Sequence, residues 1–400
     1  MHPGSLALKA GICIFLLFFA GVAPSRAIDE DEIVAGPYLT NLRPTFVTVN
    51  FEVDRPVLGW TLFDTEGHFD SGWNYTHGYP PDDVLSDLHC ITLPGLLTDE
   101  RYYYTITLKD PNEDRDYGFF DYSLKTPPEK GQTSVRFRIG AYGDCYGNPQ
   151  LLRIVSDEVH SEKDMIAAFL LGDILPPEAS QTDWKDFFYG VEYLGAEKAI
   201  LPLRGANEAS GEAAKAFDRY FPLIESPMDT PKPFGYHSFD WGILHVIVLD
   251  TSKMDEAQAS WLEQDLQSAA SAPYELVFLH NPLEALDRGM AKRLEDLFDK
   301  NRPSVVFAGG SGDFHLEERS GTYYVNVGSL TQPVQENTPT LSPGNGLVLR
   351  NAIPYVSFQV DEEEGVQLEV ISMGSLSPDG RVKRDRKSVQ KFQVSPRNQP

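Results

Sequence analysis

An all-β segment followed by an α/β domain is the fold this 400-residue sequence predicts, and three observations carry the prediction. Between residues 28 and 127, short alternating runs are separated by Gly, Pro and Asp turns, as in half-buried strands. From residue 133 to 373, apolar strand-like runs alternate with amphipathic helical ones, the pattern of an α/β layer structure. Polar residues of ligand type then fall just after several of those apolar runs, at Asp144, Asp173, Asn207, His280 and His315. With 41% hydrophobic and 12% aromatic residues, the chain has the material for packed cores and does not read as disordered.

In the first segment, Thr45 to Val53 alternates in the strand manner, and Val57–Phe63, His89–Leu93 and Tyr102–Leu108 follow. Thr126-Pro-Pro-Glu-Lys-Gly-Gln-Thr reads as a linker. In the second segment, strands are expected near 137–142, 166–171, 199–203, 244–249, 275–279, 304–308 and 323–327, with a closing hairpin at 355–360 and 366–371. Helices are expected at 149–161, 182–193, 258–270 and 290–301, the last stopped by Asn301 and Pro303. Residues 374–400 carry Arg381, Lys383, Arg384, Arg386 and Lys387 and read as a solvated basic tail, with Val389–Val394 as an optional edge strand.

Residues 1–27 read as a secretory signal peptide: Lys9, an apolar run from Ile12 to Ala23, then small residues up to Ala27. The run is short for a bilayer span, although an uncleaved anchor is the alternative reading. The expectation is a secreted or periplasmic protein with no stable membrane insertion once the leader is removed. The formal net charge of −25 becomes more negative without Lys9 and Arg26, which excludes general affinity for nucleic acid. An anionic substrate would need something locally positive, and bound metal would serve. Cys90 and Cys145 remain after the leader, too few for a disulfide scaffold. Asn74-Tyr-Thr is a glycosylation acceptor in a eukaryotic secretory route.

Ligands bind open α/β sheets at the carboxyl ends of the strands, where loops from neighbouring strands converge. An Asp after a strand is often only a helix N-cap, but five ligand-type residues at one edge in chain order point to a site. Carboxylate, amide and imidazole donors suit a hard or borderline divalent pair such as Fe, Mn or Zn. Two such ions clamp a phosphoryl oxygen and supply a nucleophile at neutral pH.

The blocks Tyr142-Gly-Asp-Cys, Leu171-Gly-Asp-Ile, Gly205-Ala-Asn-Glu, Leu279-His-Asn-Pro and Gly312-Asp-Phe-His-Leu-Glu-Glu-Arg resemble the five motifs of calcineurin-like metallophosphoesterases. Within that family the purple acid phosphatases are most similar, because Gly36-Pro-Tyr-Leu-Thr and the segment from His89 to Ile106 resemble a fibronectin type III domain preceding the catalytic one. In such domains a tyrosine hydroxyl ties down a strand corner, and Tyr102 is the counterpart. The resemblance implies a β-sandwich followed by a four-layer αββα domain that hydrolyses phosphate esters. It assigns Asp144, Asp173, His280 and His315 to the metals, with Asp173 bridging, and Asn207 to the substrate or a metal.

The departures from the family pattern are as informative. Where the family has Gly-Asn-His-Glu, this chain has Gly205-Ala206-Asn207-Glu208, so the leaving-group histidine is absent. Asp313 takes the place of the first histidine of the last block, while Gly309-Gly-Ser-Gly also permits an alignment in which both histidines are lost. Pro176 stands where purple enzymes have their tyrosine. Cys145 reads as a small buried thiol or as a soft ligand. Two functions follow: a phosphomonoesterase or phosphodiesterase with weakened acid assistance, or a degenerate relative that binds without cleaving. No Gly-x-Ser-x-Gly elbow, phosphate-cradling Gly-Lys loop or Rossmann fingerprint supports a different hydrolase.

Overall fold

A computed structural model describes residues 33–65, 77–79, 85–112, 116–118, 121–144, 148–310, 312–330, 340–342, 346–350, 352–377 and 381–397. The leader, Asn74 and Cys145 lie outside these residues. The first part of the chain gives β1 (Ile33–Arg43), β2 (Phe46–Asp64), β3 (His77–Tyr79), β4 (Ser86–Pro94), β5 (Arg101–Lys109), β6 (Asp116–Gly118) and β7 (Tyr122–Lys125). Then come β8 (Arg136–Tyr142), α1 (Pro149–Ser161), β9 (Met165–Leu170), α2 (Gln181–Glu197), β10 (Ala199–Pro202) and α3 (Gly211–Tyr220). The second sheet begins with β11 (His237–Trp241), β12 (Leu244–Val248), α4 (Glu256–Ser268), β13 (Tyr274–Leu279), α5 (Arg288–Asn301) and β14 (Val305–Ala308). It continues through β15 (Phe314–Arg319), β16 (Thr322–Asn326), β17 (Thr340–Ser342) and β18 (Gly346–Leu349). Finally β19 (Pro354–Asp361), β20 (Gly365–Leu376) and β21 (Val382–Val394) return to the first sheet.

The first sheet runs β21-β20-β19-β8-β9-β10-β1-β2-β5-β6, and the second runs β11-β12-β13-β14-β16-β15-β18-β17. In the first, β8, β9 and β10 are parallel; in the second, β12, β13, β14 and β16 are. Both faces of these central strands are covered, which explains their unbroken apolar runs. Along β9 and just past it, Phe169 and Leu171 face the second sheet, while Met165, Ala168 and Leu170 face α1 and α2. Stacked rings of Phe169, Phe278 and Phe307 join the two sheets. Leu262, Leu266, Leu294 and Phe298 of α4 and α5 pack against the outer face of the second sheet.

The N-terminal strands join this body directly, because β1 pairs in parallel with β10 through Leu39 and Ala199. The two strands expected at 45–53 and 57–63 are one strand, β2, with a register shift between Glu52 and Val57. Its first half pairs with β1 and β4, and its second half with β3 and β5, so one strand serves both faces of a sandwich. Tyr102 makes the corner bond: its buried hydroxyl accepts the Leu97 backbone N–H at 2.8 Å.

Helix α1 has the bounds expected, with Asn148 accepting from the Leu151 N–H and Pro149 at its first position. The segment expected as a solvated basic tail is instead an edge hairpin: β20 reaches Leu376 and β21 pairs along it from Val382 to Val394. The basic residues sit on an exposed edge, where charge discourages further pairing. Several find carboxylates: Arg386 on Glu158 and Glu162, Lys387 on Asp385, and Lys391 on Glu369. Helix α3, not expected, buries Phe217 and Tyr220. No helix among the described residues is long and apolar enough to cross a membrane.

Candidate metal centre

Five loops meet at the carboxyl edge of the two sheets: those after β8, β9, β10, β13 and β14. The loop after β9 is tightly turned, with Gly172 at φ +90° and Asp173 at φ +46°. A side chain at Gly172 would collide with the His280 ring, and one at Gly205 with Asp173 itself. Two glycines thus let three loops approach within bonding distance.

Asp144, Asp173 and His280 offer ligand atoms that all lie within 4.8 Å of one another. The His280 tautomer follows from its partners. Nδ1 lies 2.6 Å from the Leu171 carbonyl, which can only accept, so Nδ1 carries the proton. Nε2 then faces Asp173 Oδ2 at 3.5 Å, and in the neutral ring its lone pair is open to a cation that displaces the second proton. Burial favours neutral His280, but hydrogen bonding to and the charge of Asp173, the Leu171 carbonyl and Asp144 outweigh it and raise its pKa to about 8. Burial also acts on Asp173, but His280 and the N–H groups of Asn207 and Ala206 hold its carboxylate below the usual range. Asp144 is 3% exposed, and burial, with the Asp173 charge adding, pushes it up to about 7 against the opposing charge of His280. Its Oδ1 is buried with no hydrogen-bond partner among the described residues.

An orphaned carboxylate oxygen, a second carboxylate and an imidazole lone pair fit one hard or borderline divalent ion. All three are buried or half-buried, in contrast to the exposed acidic groups common on a surface this negative.

The other expected ligands are placed differently. Asn207 is beside the triad, its backbone N–H donating to Asp173 Oδ1 at 2.8 Å. Its side-chain amide donates to the Leu175 carbonyl at 2.7 Å. Asp313 and His315 are not gathered with the triad. Asp313 lies 3.6 Å from Arg350. His315 is on β15, where Phe314 and Leu316 take the inter-sheet core, and alternation turns His315 to a separate cavity of about 110 Å³ shared with Pro282, Arg319 and Tyr324. The segment after β14 that touches the triad is glycine: the Gly310 N–H is bonded to Asp144, and a Cβ there would press on Pro282.

Glu208 is a site residue that ligand-based reasoning passes over. It is 1% exposed and accepts three backbone N–H groups: Asp173 at 3.1 Å, Leu175 at 3.1 Å and Gly205 at 3.0 Å. Burial first, then the Asp173 charge, raises it to about 7. It ties the β9 loop to the β10 loop. The signal was present in the sequence, since Glu208 closes the block Gly205-Ala-Asn-Glu.

No protein-family model and no curated protein matches this sequence. Solved structures do match. A purple acid phosphatase, PPD1, from seeds of yellow lupin (Lupinus luteus) aligns with a TM-score of 0.65 and 15% identity, over 90% of this chain and 74% of that one. PhoD aligns with a TM-score of 0.71 and 12% identity, over 93% of this chain and 92% of PhoD. At such identities the likeness is one of fold, and the chain has the metallophosphoesterase fold.

Proposed function

We propose that this chain is a cation-dependent phosphoesterase in which Asp144, Asp173 and His280 hold a single divalent ion. The convergence of those three side chains at the strand edge is the observation that supports it. An ion held there would draw charge from a phosphoryl oxygen and acidify a water. Asp173 is kept in place by the Asn207 N–H and by the Glu208 clamp on its own backbone. His280 is kept in one tautomer by Leu171.

Sequence reasoning expected a two-ion site built also from Asn207, Asp313 and His315. The one-ion reading rests on the separate positions of Asp313 and His315, and it takes Gly310 and Gly312 as the places of the family's two histidines. Asn207 stands where relatives have a proton-donating histidine, and an amide is no acid. Losing such an acid costs about 10²–10⁴-fold, least for leaving groups that are already acidic. The substrates favoured are therefore aryl over alkyl phosphates. We read the catalytic domain, expected at 133–373 and four-layered αββα, as continuing to Val394 because β20 and β21 extend its first sheet, and 28–127 as a fibronectin type III-like module that positions it. Residues 1–27 remain the signal for export.

A second reading, a binding protein without turnover, is favoured by Ala206, Gly309, Gly310 and Gly312, which offer no ligand side chain. One experiment separates the readings. The mature protein is loaded with Mn, Zn or Fe, its metal content measured, and p-nitrophenyl phosphate compared with an alkyl phosphate. About one ion per chain with turnover of the aryl ester, lost in His280→Ala and kept in His315→Ala, is the expected result. Bound metal without turnover leaves the binder; no metal bound refutes both forms of the centre.

A further inference from the structure

Arg43 ends β1, is 7% exposed and makes no direct ion pair among the described residues; burial lowers its pKa to about 9, and only the more distant charge of Glu225 opposes that. Its surroundings make that unusual. Among the described residues, the other buried arginine, Arg204, is paired with Asp218 and Asp250, and the largely covered Arg397 with Glu275. Arg43 has one hydrogen bond, Nη1 to the Leu42 carbonyl at 2.9 Å, and its guanidinium lies 3.9 Å from the centroid of the Phe239 ring. Removing a cation from water without an anion beside it is costly, and one cation–π contact returns only part of that cost. An arginine stays protonated under these conditions, so the charge cannot be shed.

The guanidinium lines a cavity of about 40 Å³ between β1 and β10 of the first sheet and β11 and β12 of the second. Its walls include Leu201, Leu223, Phe234 and Phe239. Asn41, also at the wall, is fully engaged: its amide donates to the Pro222 carbonyl and its oxygen accepts the Ile224 N–H. His237 donates through Nδ1 to the Gly235 carbonyl. Burial, with Arg43 adding, lowers His237 to about 4, so it is neutral and adds no second cation.

We propose that this cavity is a binding site for a small aliphatic monocarboxylate, with Arg43 as its counter-ion. A planar carboxylate matches the guanidinium fork, and a short alkyl chain matches the apolar wall. The volume corresponds to roughly three water-sized positions, which holds acetate as it stands and a longer chain such as butyrate only where the apolar wall yields. A dianion such as sulfate would leave one charge unpaired against that wall, and phosphate would set polar oxygens against apolar side chains; neither matches the cavity as a planar carboxylate with an alkyl tail does. The site is separate from the Asp144–Asp173–His280 centre and does not depend on it.

The test uses the mature chain in EDTA, melted with increasing acetate or butyrate at constant ionic strength, with sulfate and inorganic phosphate as controls. Wild type and His280→Ala are expected to gain the same carboxylate-dependent rise in Tm. Arg43→Met, which keeps the volume and removes the charge, is expected to lose that rise, with at least a tenfold loss of affinity, while melting no lower than wild type without ligand. Binding of [1-¹³C]butyrate to wild type, read as a saturable shift of the carboxylate resonance, serves if the variant fails to fold. A structural role for Arg43 alone predicts the reverse: a lower Tm for Arg43→Met, and no saturable shift or carboxylate effect in wild type. Equal stabilisation by sulfate or phosphate also overturns the proposal.

Discussion

Replacing Glu208 with alanine tests whether the centre is held by its loops as well as by its ligands. The substitution orphans the buried N–H groups of Asp173, Leu175 and Gly205, which the carboxylate now receives at 3.0–3.1 Å. Each buried donor left unpaired costs about 1–3 kcal/mol, so the three together bracket roughly 3–9 kcal/mol. The carboxylate's own burial, visible in a pKa raised to about 7, is relieved at the same time and offsets part of that loss. The expected outcome of Glu208→Ala is therefore a destabilisation of about 3 kcal/mol, near the lower bound. Urea unfolding at pH 7.5 measures it. Cation titration of the folded variant should also show affinity at least tenfold weaker, because the strained turn at Asp173 loses its restraint. A loss below about 1 kcal/mol with unaltered cation affinity would refute the loop-clamp reasoning.

Three more outcomes are expected. His245 is buried between Asp240 and Asp265, with both ring nitrogens at 2.9 Å, and those bonds outweigh the burial that lowers it, raising its pKa to about 9. A group raised in the folded state contributes fully below its unfolded pKa and loses that contribution as pH climbs; between about 6.5 and 9, wild type should lose about 2 kcal/mol that His245→Gln never had, after discounting for the partly exposed Asp240. Arg397→Ala leaves Glu275 uncompensated at 0% exposure and should cost about 3–5 kcal/mol in urea unfolding. Gly310→His, which places the family's ligand type at φ +86° against Pro282, should destabilise by about 1–3 kcal/mol and bind no second ion, whereas Ala206→Asn, on an exposed residue beside Asp173, should fold normally and strengthen cation binding in calorimetry.

The layout of the α/β part was legible because both faces of its central strands are buried, and an unbroken run as short as Met165–Leu170 suits a strand covered on both sides better than a helix. Asp144, Asp173 and His280 were legible for a related reason: each directly follows such a run. The last block was not, because its chemistry is set by pairing partners distant in sequence. Glu318-Arg319 suggested a family register, yet Phe314 and Leu316 are needed by the inter-sheet core, and that alternation carries His315 to the outer face. The pattern Phe-His-Leu-Glu itself was a readable strand signal. The basic C-terminal segment misled through composition, since high charge marks an edge strand as readily as a solvated tail. Arg43 gave no signal, because nothing local to β1 announces that Phe239 and the β10 end will close over it.

What the centre keeps and lacks follows a physical division. Asp173 accepts the Asn207 N–H, His280 fixes the Leu171 carbonyl, and Glu208 receives three N–H groups, so each would orphan buried backbone if replaced. Asp144 also receives a backbone N–H, that of Gly310, but differs in that its Oδ1 has no protein partner among the described residues and its raised pKa registers a cost of burial. A side chain retained only for packing would be better served there by asparagine or an apolar group of similar size. Structural duty therefore accounts for Asp173, His280 and Glu208 whether or not the protein binds metal. It does not account for the buried charge and unpartnered oxygen of Asp144, since an asparagine would receive the Gly310 N–H as well, and that residue favours a cation in the centre over an inert relic of the fold. Asp144→Asn separates the two: a relic gains stability from losing a buried charge, whereas a working centre gains the same stability in EDTA and forfeits the stabilisation that added Mn or Zn gives wild type.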